Sequence, residues 1–572
     1  MRWRSTRATP RGRAVPERAR AALANGLWAA SLAADARAFH HACADPQASQ
    51  ERLLRRQMRC AASSAIGRDF DLARVTRLID LQHALPLGDH ASHIPYLERV
   101  EAGEPNVLGN DPVLALEPTS GSTAGAKRIP TTRGLRRAFG RAIAPWIVDL
   151  FRHDPLLMTG PAYWSLSPAL QRASHSAGGV PIGFDADTAY LGRVGAALAG
   201  SVLAVPDGVR ALRTTDAFRH ASLLHLVASA RLRLLSVWNP SFFTILLDAL
   251  PAHAERLAHD LERGTCTPLD GAPLAALARP PDRAAATRLR AALRGEPTDV
   301  GRTLWPWLRL ASCWTDAAAE RPARELSRRL PQASLQGKGL IATEAFVTLP
   351  LHGVAAPVLA LRSHVFEFLD ASGTCSFAHQ LEPGATYEVV VTTGVLYRYR
   401  LGDMVRVEGH HRHAPTMRFL GRTAGISDHV GEKLHEPHVR DALDRACRAL
   451  GVEPRFALLA CDTREGPPTY RLYLEGVSPE RHAALLAAFE QGLSSNPHYA
   501  YARALGQLGA PRVVPVTDGA ARFEAAAAAR GLRRGDVKPS ALSAATDWYE
   551  ALCGADSDRA HAVRDVAHDV AS

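Results

Sequence analysis

The sequence predicts an α/β protein with a large N-terminal α/β domain and a smaller α+β domain at its C-terminal end. Two patterns support this prediction. Apolar residues recur at helical spacing in the first half, whereas runs rich in β-branched and aromatic residues begin near Pro357. A second alternation of helix and strand patterns follows a Gly- and Ser-bearing stretch at 421–428, which we interpret as a hinge. The 572 residues are enough for two domains with cores of their own.

Segments of the N-terminal half carry the patterns of particular elements. Residues 32–85 have helical spacing, and residues 207–331 form an Ala/Leu/Arg-rich, mostly helical stretch. The run 113–116 predicts a buried strand that ends at a glycine-containing loop, and 128–130 predicts a short strand after it. Thr132 can cap a following helix. The apolar face of that helix includes Leu135, Phe139, Ile143 and Ile147.

The C-terminal part predicts a small α+β unit. Helices are expected at 437–450 and 479–493, with strands at "FALLA", "YRLYLEG" and "RVVPV". The expected domain bounds are a basic disordered tail (1–30), a large N-terminal domain (31–421), a small C-terminal domain (422–553) and a loose tail (554–572).

Composition excludes several classes of protein. Eight cysteines without a CxxC pair argue against a zinc site or a disulfide scaffold and fit a reducing cytoplasm. The basic N-terminus followed by "AALANGLWAASLAADA" imitates a signal peptide, but the weakly apolar, Ala-rich run favours a helix after a tail. No apolar run is long enough to cross a membrane.

The net charge of +11 is spread along the chain without a basic helix or interleaved aromatics, so we expect no nucleic-acid partner.

Lysine is rare in this chain. Against 64 arginines there are four lysines: Lys127, Lys338, Lys433 and Lys538. Such a bias is typical of a GC-rich genome in which arginine replaces lysine wherever charge alone is sufficient. The remaining lysines are therefore candidates for places that need a compact ammonium on a flexible stem. Chance survival is the alternative for any one of them, though less so for Lys127 and Lys538, which lie in motif-like surroundings.

The stretch "TSGSTAGAK", residues 119–127, offers hydroxyls, backbone N–H groups and one cation, a set of donors suited to phosphate oxygens. It is not a Walker A loop. Three residues separate the glycines, Ala126 stands between glycine and lysine, and Arg128 occupies the place of the required Ser or Thr. For this motif alone, a Gly/Ser surface turn remains the alternative.

Further motifs change this interpretation. The loop resembles the phosphate loop of adenylate-forming enzymes, and "KRIP" after it resembles the Gretchen Hagen (auxin-responsive) family of acyl-acid amido synthetases. The series continues with "YLERVEAGEPNVL", "GGVPIGF", "GKGLIATEAFVTLP", "HVFEFL", "GATYEVVVTTGVLYRYRLGDMV", "NPHYAYAR" and "GDVKPS". The resemblance spans about residues 50–543, and "LYRYRLGD" is its most specific part. The chain is thus identified as a member of this family, which has bacterial relatives, and we expect a bacterial member.

The resemblance implies an adenylate-forming fold with a mobile C-terminal domain, and it assigns roles to particular residues. Glu344 would hold Mg²⁺, Thr343 would bind the α-phosphate of ATP, and Lys538 would swing onto the substrate carboxylate for catalysis. One departure is that Leu340 stands where relatives carry a tyrosine beside adenine. The remaining nucleotide-binding candidates are Ser120, Gly121, Ser122, Thr123, Lys127, Ala342, Tyr399, Asp403 and Arg422.

The implied partners are a small carboxylic acid and an amino acid or other amine, with ATP and Mg²⁺ as cofactors in a cytoplasmic, monomeric enzyme. A coenzyme A ligase of the same superfamily and a catalytically inactive scaffold remain alternatives. Lys433 is interpreted as structural, and Lys338 is left undecided. An aromatic acyl pocket is one interpretation of four side chains for which ordinary core packing is the other: Trp164, Trp238, Phe242 and Phe243.

Overall fold

The computed structural model describes residues 17–119, 127–165, 174–183, 197–198, 200–212, 214–268, 274–422, 426–427, 429–430, 432–464, 467–529 and 540–554. The first helix begins at Glu17, so the predicted disordered tail at 1–30 is wrong for residues 17–30. Trp28 and Phe39 bury this helix in the N-terminal core, which explains why it is formed despite its alanine-rich, weakly amphipathic sequence.

Helices account for much of the described chain, and apart from short 3₁₀ turns they are numbered here in order. In the N-terminal part they are α1 Glu17–Ala42, α2 Pro46–Ala61, α3 Ala65–Asp69, α4 Leu78–Ala84, α5 His90–Glu101, α6 Arg133–His153, α7 Thr215–Ala228, α8 Pro240–Arg263, α9 Arg283–Arg294, α10 Val300–Leu304 and α11 Glu320–Arg329. In the C-terminal part they are α12 Glu436–Leu450, α13 Pro479–Leu493, α14 Pro497–Ala504, α15 Gly519–Ala529 and α16 Trp548–Cys553.

The strands form five sheets among the described residues. Those of the N-terminal part are β1 Val113–Thr119, β2 Lys127–Thr132, β3 Ala162–Trp164, β4 Ser174–His175, β5 Pro181–Ile182, β6 Leu234–Ser236, β7 Leu310–Cys313, β8 Ser334–Gly337, β9 Thr348–Leu349, β10 Val358–Leu359, β11 Val365–Leu369, β12 Cys375–Phe377, β13 Thr386–Thr392, β14 Tyr399–His411 and β15 Ala414–Arg422. The others are β16 Ile426–Ser427, β17 Leu434–His435, β18 Phe456–Asp462, β19 Thr469–Glu475, β20 Gly509–Pro515 and β21 Leu542–Ser543.

Two of these sheets frame the centre of the N-terminal part. A four-stranded parallel sheet has the order β3-β6-β7-β8, and a seven-stranded sheet has the order β12-β11-β13-β14-β15-β10-β9. The three strand pairs of the first sheet are parallel, so their carboxyl ends meet at one edge. Ligands of open α/β sheets bind outside such an edge. The chain leaves β8 there and enters the segment that contains Glu344.

The first hairpin and the helix after it agree with the sequence prediction. β1 and β2 pair in antiparallel fashion from Val113↔Thr132 to Thr119↔Lys127. The Thr132 hydroxyl accepts a hydrogen bond from the backbone N–H of Leu135 at 3.1 Å, and α6 follows directly. The apolar face predicted for α6 is buried. The predicted helix cap is therefore confirmed.

The C-terminal sheet has the order β20-β19-β18-β21, and helices α12 and α13 pack together beside it in a separate hydrophobic core. The helix predicted at 479–493 is α13, and the one predicted at 437–450 is α12. Links to the N-terminal part include the hydrogen bond from Arg440 Nη1 to the Leu420 carbonyl at 2.7 Å. No helix in the described ranges has the length and apolar character needed to span a bilayer.

Candidate active site

A tight turn after β8 places Thr343 and Glu344. The backbone N–H of Ala342 donates to the Ala345 carbonyl at 2.9 Å, and the N–H of Ala345 donates back to the Ala342 carbonyl at 3.3 Å. Thr343 is half-buried and Glu344 is buried at this turn. The turn therefore holds a hydroxyl and a carboxylate side by side, as the resemblance requires.

A buried histidine fixes one side of this turn. His364 Nε2 accepts a hydrogen bond from the Phe346 N–H at 3.2 Å, so Nε2 is the unprotonated nitrogen of a neutral ring. Burial, together with the nearby charge of Arg141, lowers the pKa of His364 to about 3. The imidazole therefore stays neutral over the working pH range and keeps accepting this hydrogen bond.

The strand pair β14–β15 brings Asp403 opposite Arg422. The two residues are partners in the antiparallel register, and Arg422 Nε lies 3.1 Å from Asp403 Oδ1. Asp403 is fully buried, whereas 29% of the Arg422 side chain is exposed. The charge of Asp403 raises the pKa of Arg422, with a further contribution from Glu344. This pair lies beside the turn that carries Glu344.

Tyr399 belongs to the same cluster. Burial raises the pKa of its phenol, and the negative charges of Glu344 and Asp403 raise it further, which shows that these carboxylates lie near the ring. The ring of His93 meets Tyr399 edge-on, with the ring centres 5.4 Å apart. Glu344, Tyr399, Asp403 and Arg422 are thus brought together, and we call these four residues the acidic cluster.

The start of helix α5 places residues near Tyr399 and Lys127 that were not predicted from the sequence. Asp89 caps this helix, and its charge adds to the shift in the pKa of Tyr399. His93 Nε2 accepts a hydrogen bond from the Tyr397 N–H at 3.2 Å, so Nδ1 is the nitrogen that donates to the Asp89 carbonyl at 2.8 Å. Burial lowers the pKa of His90, and the charge of Lys127 lowers it further. The signal was present in "GDHASH", where aspartate and two histidines share the first turn of a helix.

Lys127 is the first residue of β2 and is half-buried. Its charge reaches His90 at the start of α5, which places Lys127 on the same side of the fold as Tyr399. Several predicted site residues lie outside the described part of the chain: Ser120, Gly121, Ser122, Thr123 and Lys538.

The donor set at Glu344 suits magnesium bound through a nucleotide. Within the described ranges there is no group of three or more His, Cys, Asp or Glu side chains that could hold a metal by itself. Mg²⁺ usually keeps several waters and is held by one or two carboxylates together with substrate phosphates. A single buried carboxylate beside the Thr343 hydroxyl therefore fits a metal that would arrive with a nucleotide.

The sequence left two interpretations for four aromatic side chains, an acyl pocket or core packing, and the structure separates the two phenylalanines from the two tryptophans. Phe242 and Phe243 are buried in the core that α7, α8 and the parallel sheet share, so core packing is the correct interpretation for them. Trp164 and Trp238 are only partly buried and lie at the carboxyl edge of the parallel sheet.

Comparisons with family models and with known proteins identify the same family. The chain matches the GH3 family N-terminal domain over residues 35–330, the central domain over 358–422 and the C-terminal domain over 437–547. A probable indole-3-acetic acid-amido synthetase of Oryza sativa subsp. japonica, GH3.6, is 33% identical over 162 residues, which cover 25% of this chain and 33% of that protein. A second rice protein of that description, GH3.12, is 26% identical over 72% of this chain and 75% of its own length.

The fold agrees with a solved structure. The acyl acid amido synthetase AtGH3.15 in complex with 2,4-DB superimposes with a TM-score of 0.79 at 18% identity, over 91% of this chain and 96% of that one. This likeness confirms the predicted fold class, a large N-terminal α/β part followed by a smaller α+β C-terminal part. Together with the three matched domains, it means that the chain belongs to the GH3 family.

Proposed function

We propose that this protein is an ATP-dependent acyl-acid amido synthetase. A carboxylate oxygen of a small acid attacks the α-phosphorus of ATP, and the bond to the bridging oxygen breaks to release pyrophosphate. An amine, in our proposal that of an amino acid, then attacks the carbonyl carbon of the acyl-adenylate. The bond between that carbon and the phosphate oxygen breaks, AMP leaves, and the amine loses one proton as the amide forms.

The acidic cluster is the observation that supports this proposal most strongly. The Asp403 carboxylate, held beside Arg422 in a buried strand pair, is suited to accept hydrogen bonds from ribose hydroxyls. Tyr399 would pack against the nucleoside, and Thr343 would donate to the α-phosphate. When bound through Glu344, Mg²⁺ would neutralise charge that develops on the phosphates.

The remaining roles fall on the loop at 120–127 and on Lys538. We propose that Ser120, Gly121, Ser122 and Thr123 hold the β- and γ-phosphates, with Lys127 beside them. Lys538 would bring an ammonium to the carboxylate and the α-phosphate, where charge builds in the first half-reaction. The C-terminal domain, 422–553, would then reorient to admit the amine. We propose a cytoplasmic, monomeric enzyme.

Separate assays of the two half-reactions test this assignment. Acid-dependent exchange of labelled pyrophosphate into ATP measures adenylation, and product analysis with a panel of amino acids measures transfer. Lys538→Ala and Lys538→Arg should nearly abolish exchange while a synthetic acyl-adenylate is still converted to amide. Equal loss of both activities would contradict the two-step role of Lys538.

The same assays separate the alternatives. Turnover that requires coenzyme A and no amine would identify an acid–thiol ligase. Absence of ATP consumption with every acid of a broad panel would favour an inactive scaffold. The chain's match to amide-forming GH3 proteins favours the synthetase over both.

A further inference from the structure

Five of the nine tryptophans in the chain converge at the carboxyl edge of the parallel sheet. Trp164 ends β3, and Trp238 and Trp314 follow β6 and β7, with their two rings 6.1 Å apart. Trp146 of α6 stacks on Trp164 with ring centres 6.4 Å apart, and the ring centre of Trp28 of α1 lies 5.9 Å from that of Trp164. Large flat rings therefore line the edge at which α/β sheets bind their ligands.

Lys338 carries a positive charge into this group of rings. It follows β8 directly, and Gly339, at a φ of +79°, turns the chain immediately after it. Its Nζ lies 4.7 Å from the ring centre of Trp146 and 5.0 Å from that of Trp238, and it donates a hydrogen bond to Ser236 Oγ at 2.6 Å. Only 3% of the residue is exposed.

Polar side chains lie beneath these rings in one row. Ser236, Ser312 and Gln336 are direct partners in the parallel register, so their side chains point to the same face of the sheet. Gln336 Oε1 accepts hydrogen bonds from Trp146 Nε1 at 2.9 Å and from Ser312 Oγ at 3.3 Å. Apolar walls with a few convergent polar groups are what small-molecule sites have in common. We call Lys338, Trp146, Trp164, Trp238 and Ser236 the lysine–indole site.

The lysine–indole site draws on strands of the parallel sheet, whereas the acidic cluster draws on strands of the seven-stranded sheet. The carboxylate that becomes adenylated must lie by Glu344 and Tyr399, and Tyr399 belongs to the seven-stranded sheet. Lys338 contacts β6 of the parallel sheet and α6. If one acid spans both places, its far end meets the ammonium of Lys338, which an anionic group suits best, and a flat body between the two ends can stack on indole faces.

We propose that the acyl acid of this enzyme is a dicarboxylic acid with a planar apolar body, and that Lys338 and Ser236 bind the carboxylate that is not adenylated. The proposal rests on the proposed function for the location of the reacting end. A compact ammonium between ring faces suits one carboxylate oxygen, whereas a guanidinium is broader and planar. This requirement accounts for a lysine here in a chain that uses arginine almost everywhere else.

The competing interpretation is structural. Cation–π contacts with two indoles and a hydrogen bond to Ser236 stabilise a buried ammonium without any ligand. In that case Lys338 joins α6 to the parallel sheet, and the protein does not distinguish a second carboxylate from a methyl group.

Matched acids separate these interpretations. Terephthalate is compared with 4-methylbenzoate, and 1,4-phenylenediacetate with 4-methylphenylacetate, so that a carboxylate replaces a methyl group of similar size. Binding to the full-length protein is followed by quenching of tryptophan fluorescence. We expect at least one diacid to bind about 10- to 100-fold more tightly than its methyl partner. Lys338→Met should remove this preference, and Ser236→Ala should reduce it several-fold.

Arg233→Met is the control variant. Arg233 lies before β6, at the opposite edge of the same sheet, and its guanidinium carbon is 5.2 Å from the ring centre of Trp307. The variant removes a cation–π contact from that sheet without touching the site and should keep the preference for diacids. Circular dichroism and urea unfolding check that each variant is folded.

Three outcomes would overturn the proposal: no diacid binds more tightly than its methyl partner, no acid of either kind binds, or Lys338→Met keeps the preference. Pyrophosphate exchange is measured with the same acids. A preference for diacids that depends on Lys338, without exchange, would contradict the proposed function and leave the inference about the site standing.

Discussion

Two buried ion pairs involve strand β14 or the residue just before it, Arg398–Glu367 and Arg422–Asp403, and they differ in what surrounds them. Arg398, just before the strand, donates to both oxygens of Glu367 at 2.8 and 3.0 Å, and to the Leu85 carbonyl at 2.7 Å. Gln82 Nε2 also donates to Glu367 at 2.9 Å. Arg422 meets Asp403 at 3.1 Å, and 29% of its side chain is exposed, against 7% for Arg398. One pair is enclosed by protein groups, and the other borders the candidate site.

The comparison divides the motif "LYRYRLGD" into two parts. Arg398, which has a φ of +44°, connects β11 through Glu367 to the loop after α4. Tyr399 and Asp403, one and five residues later, lie beside Glu344. The first part holds the seven-stranded sheet against the N-terminal helices, and the second places the buried Asp403 carboxylate beside the candidate site. Substitutions at the two pairs should therefore separate stability from nucleotide binding.

Arg398→Met should lower the free energy of unfolding by about 3–5 kcal/mol, because it leaves the buried Glu367 carboxylate without its cation. Urea unfolding measures this loss. The double variant Arg398→Met/Glu367→Leu should recover part of it, since it removes the uncompensated charge. A loss below about 1 kcal/mol in the single variant would contradict a structural role for the enclosed pair.

Asp403→Asn should weaken ATP binding by about 1.5–3 kcal/mol, because ribose hydroxyls lose a charged acceptor. Titrations with ATP and with 2′-deoxy-ATP isolate this contact. The wild type should prefer ATP, and the variant should bind the two nucleotides nearly equally. Arg398→Met, assayed under conditions in which it is folded, should keep the preference. An unchanged preference in Asp403→Asn would show that this carboxylate does not contact the ribose.

Glu344→Gln should raise the Mg²⁺ concentration needed for half-maximal pyrophosphate exchange about tenfold, equivalent to about 1.4 kcal/mol. The amide keeps the size of the side chain but is a weaker ligand for a hard cation. Affinity for ATP without metal should change by less than about threefold, as judged by titration in EDTA. An equal effect with and without metal would assign Glu344 to the nucleotide rather than to magnesium.

Elements that depend on local signals could be predicted from the sequence, whereas short parallel strands and contacts between distant segments could not. The cap at Thr132 and the helix at 479–493 depend on local signals, which a single segment carries in full. The parallel strands β6 and β7 are only three and four residues long and lie inside a helical stretch, so periodicity did not reveal them. Their position determines where Trp238 and Lys338 meet, and this contact therefore could not be predicted. The cluster at the start of α5 was missed for a different reason, since Tyr397, the partner of His93, lies 304 residues away in the chain.

Arg406→Gln should have the smallest effect, within about 0.5 kcal/mol on the free energy of unfolding. Arg406 lies on the same strand as Tyr399 and Asp403 and meets Glu408 at 2.7 Å, yet 45% of the arginine side chain and 27% of the glutamate remain exposed. Water already solvates both groups, so the ion pair adds little to the stability of the fold. When Arg406 is replaced, the Glu408 carboxylate remains hydrated and its charge remains screened. Urea unfolding at low and at high salt should give the same small difference, and ATP binding should be unchanged. A loss comparable to that of Arg398→Met would mean that burial does not separate the ion pairs of this strand. The division of the motif into an enclosed part and a part beside the candidate site would then have no energetic basis.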